Sequence, residues 1–218
     1  MTTLIDNNIV RRSSGAANLA VAALIGLAIA FVLSALAPLM TPNSNAVADT
    51  ISDVAAGPFD WVQDAALHIE ALALAALAIA MFVGVGRGLC WKLACMMLLA
   101  MAAALMLMAS VERYSKDAPQ GIVIHSYLVY TYGFAFIALL LTTLPVLRRW
   151  NSFWVALNLI GGVAWIAVAV FYFNMGTGWD GLVERLLGTL QFGWVALFAW
   201  TLRRENIRMA YERSSPSR

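Results

Sequence analysis

The chain predicts an all-α membrane protein, a six-transmembrane-helix bundle with both termini cytoplasmic. Three observations carry that prediction. Hydrophobic residues make up 62% of the 218 and charged residues only 12%, roughly half the charge share of a soluble domain. The apolar residues fall into runs near the ~20 residues needed to cross about 30 Å of hydrocarbon. Lysine and arginine gather in alternate connecting segments, as they do in multi-pass proteins.

The elements follow in order. Residues 1–16 form a polar N-terminal segment with Arg11 and Arg12, expected in the cytoplasm. The first apolar run extends from Ala17 to about Leu39, where Pro38 and Pro42 are expected to end it. It is too long for a signal-peptide core, and cleavage after Ala37 would leave Pro38 next to the cut, so it reads as a retained anchor. Thr41 to Gly57 reads as a polar loop. The second run follows to Phe82, and Gly84, Gly86 and Gly88 mark a tight turn. The third runs from about Trp91 to Ser110, and the charged segment Val111–Gly121 leads into the fourth, Ile122 to Val146. The fifth covers Phe153 to Asn174 and the sixth Leu182 to Leu202. The transmembrane domain is thus 17–202, with a basic cytoplasmic tail at 203–218.

Orientation rests on the basic residues. All 14 Lys and Arg except Arg113, Lys116 and Arg185 fall on the side of the termini, which assigns that side to the cytoplasm. Trp61, Trp91, Trp150, Trp154, Trp179 and Trp200 lie near the ends of the runs, as an aromatic belt requires. The net charge of +2 therefore reflects topology and gives no reason to expect a nucleic-acid partner. Cys90 and Cys95 form neither a disulfide framework nor a metal motif. The Met-rich third run reads as core and lipid contact.

The acids mirror the bases. All 12 Asp and Glu except Asp6, Glu205 and Glu212 fall on the opposite, outer half, together with His68 and His125. Acidic residues contribute little to topology, so their bias asks for another cause. Ionisable groups within a span cost a few kcal/mol each and tend to mark functional positions. On the second run Asp60, Asp64 and His68 form one stripe at a spacing of four, with Glu70 and its neighbour Gln63 on nearly the opposite face. On the fourth, His125, Val129, Tyr132 and Phe136 share a face; on the sixth, Glu184, Gly188, Gln191 and Val195 do, with Arg185 one position round. The expectation is an outward-opening polar cavity among these three helices, lined by Asp60, Asp64, His68, His125, Tyr132, Glu184, Arg185 and Gln191 and covered by the loop holding Glu112.

Catalytic motifs are absent as sequence patterns: no HExxH, no phosphate-binding glycine loop, no Gly-x-Ser-x-Gly elbow. His68-Ile69-Glu70 matches half of a zinc-deaminase signature without the Pro-Cys-x-x-Cys that completes it. A zinc site can still be composed from Asp64, His68 and His125 with Glu112 or Glu184, with an open position for water. The packing alternative is an interhelical hydrogen bond for His68 and Asp64, and a helix-start acid with a snorkelling arginine for Glu184 and Arg185.

GPFDW at the second run, GIVIH entering the fourth and GLVERLLGTLQFGWVALFAWTL in the sixth resemble a bacterial family of six-helix membrane proteins, the domain of unknown function number 998. The resemblance spans roughly Ala17 to Leu202. It implies six helices, draws attention to His125, Glu184 and Arg185, and carries no established reaction. Family members often have a Phe-Pro-Thr-Asp-like segment after the third helix; here VERYSKD stands there, leaving Asp117 or Glu112 to replace its acid.

Three functional readings follow. The leading one is an inner-membrane protein whose cavity binds or moves a small polar or cationic ligand or a lipid headgroup. The others are a metal-dependent intramembrane hydrolase of a lipid-linked substrate and an accessory subunit working with a protein partner or as a homo-oligomer. Against a classical secondary transporter stands the lack of an evident repeat or paired broken helices; a proton- or ion-coupled role through Asp64, His68 or Glu70 stays open.

Overall fold

The computed structural model describes residues 2–84, 88–110, 119–176 and 178–214. Its elements are α1 (Thr2–Met40), α2 (Ile51–Ala55), α3 (Asp60–Val83), α4 (Leu89–Ser110), α5 (Pro119–Trp150), α6 (Ser152–Asn174) and α7 (Asp180–Ser214), with no strand among the described residues. All but the short α2 are long and apolar enough to cross a membrane. Helices suit such a chain because they satisfy every backbone polar group internally.

Neighbours in the chain are neighbours in space. α1 lies against α3 and α7, α3 against α4, α4 against α5, α5 against α6, and α6 against α7, closing the bundle into a ring. α3, α5 and α7 start from one end, which carries Asp49, Asp53, Asp60, Asp180 and Glu184; the other end carries Arg148, Arg149, Arg203, Arg204 and Arg208. These are called the acidic and the basic end below.

Small residues set the tightest contact. Ala16, Ala20, Ala23, Leu27 and Ala30 recur at three- and four-residue intervals on α1, with Ala37 seven residues further on, and all are buried, the spacing by which membrane helices approach closely. Gly26 lies against α3 so closely that an added Cβ would stand 3.0 Å from the Ala73 Cβ. Replacing Gly26 by valine is expected to push α1 off α3 and cost about 1–3 kcal/mol, read as a lower melting temperature in detergent.

The basic half of the core is aromatic. Phe136 stands edge-on to Trp194, Trp194 stacks on Phe198 at 5.1 Å, and Phe198 meets Trp91 and Trp150. Trp91 and Trp154 are therefore interior residues rather than belt residues, and the Trp91 Nε1 donates to the Met81 carbonyl at 2.8 Å. Trp61, Trp179 and Trp200 are exposed, as a belt requires. A buried polar junction ties three helices together: Asn158 Nδ2 donates to the Leu140 carbonyl at 2.7 Å, and Asn158 Oδ1 accepts from Trp194 Nε1 at 2.7 Å. Asn158→Leu leaves the Trp194 donor without its acceptor and is expected to cost about 1–3 kcal/mol, read by the same melting assay.

Several boundaries depart from the sequence reading. Pro38 lies inside α1, which runs on to Met40; Thr41 then turns its hydroxyl onto the Ala37 carbonyl at 3.0 Å. Pro145 likewise lies inside α5, which reaches Trp150. α7 continues through the basic tail to Ser214, where Arg208 pairs with Glu205 and Glu212 one turn away on either side. The Thr41–Gly57 segment is not simply a loop, because it contains α2. Thr50 and Asp53 form its capping box: Thr50 Oγ1 accepts from Asp53 N, and the Asp53 carboxylate accepts from Thr50 N.

Candidate functional site

At the acidic end the segment before α2 and the start of α7 are locked together. Leu182 N–H, one of the donors a helix start leaves without a helical partner, gives its bond to the Val47 carbonyl at 3.0 Å. Arg185 Nη1 donates to the carbonyls of Ala46, Asp49 and Gly181 at 3.0, 2.7 and 2.9 Å. The Asp49 carbonyl passes directly over Gly181, where any Cβ would overlap it. Glu184 Oε2 accepts from Ile51 N–H at 2.6 Å, placing a carboxylate on the first N–H of α2 where the helix favours negative charge. The sequence Gly181-Leu182-Val183-Glu184-Arg185 is thus a clamp, with glycine for clearance, Glu184 for α2 and Arg185 for the preceding carbonyls.

The clamped segment also reaches α5. Ser52 Oγ meets His125 Nε2 at 2.6 Å. Ser52, His125 and Glu184 make an outer tier at which α2, α5 and α7 converge.

A second tier lies deeper. Tyr132 and Gln191 follow His125 and Glu184 by about two helical turns, or ~10 Å. Tyr132 OH donates to Glu70 Oε1 at 2.5 Å. The Gln191 side chain borders the same hydroxyl, and its Nε2 has no hydrogen-bond partner although only 4% of the residue is exposed. Glu70 itself is 7% exposed. Glu70, Tyr132 and Gln191 all stand about ten residues, ~15 Å, from the acidic-end start of their spans, so the tier sits near mid-membrane. Gly188 comes between the tiers. At 100° per residue it falls between Val195 and Ala199, both buried, on the inner side of α7. A Cβ there would nonetheless meet nothing within 4 Å, so the position has open space beside it.

The sequence-read residues divide accordingly. His125, Tyr132, Glu184 and Gln191 lie on the interior faces of α5 and α7, in the two tiers, and Arg185 holds the clamp. The stripe on α3 belongs elsewhere: His68 Nδ1 meets the Asp64 carbonyl at 2.7 Å and Nε2 meets Ser110 of α4 at 2.9 Å, while Asp60 is in the first turn of α3, its carboxylate on Trp61 N–H. Glu112 lies outside the described residues. The inner face of α3 is instead the one through Gln63, Ala66, Glu70, Leu74 and Leu77, all buried, with Gln63 Oε1 accepting from Ser34 of α1 at 3.3 Å. Glu70 was read only as open to a proton- or ion-coupled role, outside the cavity lining, and Ser52 was not read at all. The pairing of Gln63 with Glu70 on a face otherwise of Ala and Leu was the available signal for the first, the Thr50-x-x-Asp53 capping box for the second. Among the described residues no three His, Cys, Asp or Glu side chains come together in a way that could hold a metal ion; the proposed zinc donors His68 and His125 have Ser110 and Ser52 as their partners.

No curated protein matches the chain, and neither does any solved structure. The family model described as Protein of unknown function (DUF998) matches residues 19–201. That interval runs from near the start of the first span into the second half of the sixth, and it includes the clamp and both tiers; the chain belongs to the DUF998 family.

Proposed function

We propose that the protein binds, and passes along its axis, a small cationic or polar ligand, using Glu70 as the charge that receives it. The carrying observation is the inner tier itself: a carboxyl buried near mid-membrane, held by Tyr132 and bordered by the unpartnered amide of Gln191, with open space above it at Gly188. A carboxylate is expensive in that position, and three polar groups from three helices at one depth exceed what packing requires. A cation would supply the missing charge, and the Gln191 amide beside Tyr132 can reorient to offer its carbonyl. The clamped α2 segment then acts as the cover at the acidic end, with Ser52 and His125 as its inner contact. By the distribution of Lys and Arg, the acidic end faces away from the cytoplasm, as in a bacterial inner-membrane protein with cytoplasmic termini.

A panel of sodium, potassium and small alkylammonium ions tests this by thermal shift in detergent. A bound ligand raises the melting temperature by mass action. At least one cation is expected to stabilise wild type and to leave Glu70→Gln unmoved. Stabilisation that persists in Glu70→Gln, or its absence from wild type across the panel, contradicts the reading.

A further inference from the structure

We propose a second, separate site at the basic end: a phosphate-binding pocket for an anionic lipid headgroup, formed where α5, α6 and α7 meet. Its walls are Trp150, Asn151, Trp154, Thr201, Arg204 and Glu205. The pocket is concave and polar, unlike the apolar groove higher on the same side between Trp165 and Leu197.

Four features converge on an anion. Arg204 is exposed in the wall with its guanidinium available as a fork for two phosphate oxygens. Arg148 and Arg149 occupy the last turn of α5, the helix that ends at the wall residue Trp150, and among the described residues no carboxylate pairs with any of these three arginines. The one acid in the wall, Glu205, is already paired with Arg208 at 3.0 Å. α6 begins at the rim with Asn151 as its N-cap, so the positive end of that helix points to the same place.

The position selects the source of the phosphate. Trp200, exposed and carrying Arg203 over its ring at 5.3 Å, marks at this end the depth where indole side chains meet lipid headgroups. Basic pockets between membrane helices on the Lys- and Arg-rich side take anionic headgroups by this combination of charge and depth. Thr201 and Asn151 add hydroxyl and amide contacts for the glycerol or headgroup oxygens. The site lies at the opposite end of the bundle from Glu70 and does not depend on what binds there.

Native mass spectrometry of the full-length protein from a mild detergent tests the assignment, with phosphatidylglycerol, phosphatidylcholine and inorganic phosphate added in separate arms. Wild type is expected to retain one phosphatidylglycerol over phosphatidylcholine, and Arg204→Gln to reduce that retention about tenfold. Arg208→Gln removes the same charge from the far side of Glu205 and frees that acid, so it serves with Thr201→Val as a second probe: Thr201→Val is expected to weaken retention and Arg208→Gln to weaken it less than Arg204→Gln. Retention of inorganic phosphate that is lost in Arg204→Gln, without lipid retention, supports the phosphate site with a soluble source. Equal retention by wild type and Arg204→Gln, or an equal loss in Arg208→Gln, overturns it. Arg204 is exposed, so unchanged melting of Arg204→Gln is expected and separates a lost site from a lost fold.

Discussion

Gly181→Val is expected to release the α2 segment from the bundle and to be the most disruptive single change in the chain. The Asp49 carbonyl occupies the place where a side chain would begin, and backbone at both sides is fixed, by α7 on one and by the Arg185 bonds on the other. Relief requires the 45–51 segment to lift. Lifting breaks the Leu182–Val47 bond, the Arg185 bonds to Ala46 and Asp49, and the Glu184–Ile51 bond together. Charge-assisted bonds contribute about 1.5–3 kcal/mol each and are not additive, so a loss of about 3 kcal/mol in docking is expected. The measurement is the labelling rate of Ser52→Cys by a membrane-impermeant maleimide, in protein with exposed Cys90 and buried Cys95 both changed to alanine. Ser52 is buried, so labelling is slow when the segment is docked. Gly181→Val is expected to accelerate it more than about tenfold; unchanged labelling contradicts the clamp.

The second large effect separates charge from packing at Glu70. Glu70→Gln keeps an oxygen that accepts from Tyr132 and is expected to fold like wild type while losing its response to cations. Glu70→Leu removes that acceptor and leaves the Tyr132 hydroxyl with only the Gln191 amide beside it, at about 1–3 kcal/mol. Adding Tyr132→Phe to Glu70→Leu removes the stranded hydroxyl, so the double variant is expected to recover much of that loss. Melting temperatures of the four proteins decide it. If Glu70→Gln melts as low as Glu70→Leu, the carboxylate serves packing and the functional assignment of the inner tier fails.

Much of the architecture was legible because membrane helices are read from their own residues. The apolar runs located the spans, and three- and four-residue spacing placed His125 with Tyr132 and Glu184 with Gln191 on faces that do turn inward. Two features were misread for physical reasons. On α3 the charged stripe Asp60–Asp64–His68 drew attention, whereas burial follows the small and apolar positions Ala66, Ala73, Leu74 and Leu77, and Glu70 shares their face. The clamp was hidden because its partners are main-chain carbonyls of Ala46, Val47 and Asp49. Carbonyls carry no residue signature, so Arg185 read equally well as an interfacial arginine. The extension of α7 to Ser214 was missed because charged i,i+4 partners, not hydrophobicity, carry its last turns.

In the proposed function, polar access reaches the inner tier and is selective for positive charge because of Glu70. The most direct measurement places a thiol at the open position between the tiers, Gly188→Cys in the cysteine-free background, in right-side-out vesicles. It then compares modification by small cationic and anionic methanethiosulfonates. Rapid reaction with the cationic reagent, little with the anionic one, and loss of the difference when Glu70→Gln is added are the expected results. Equal rates for both reagents, or a preference that survives Glu70→Gln, would contradict it.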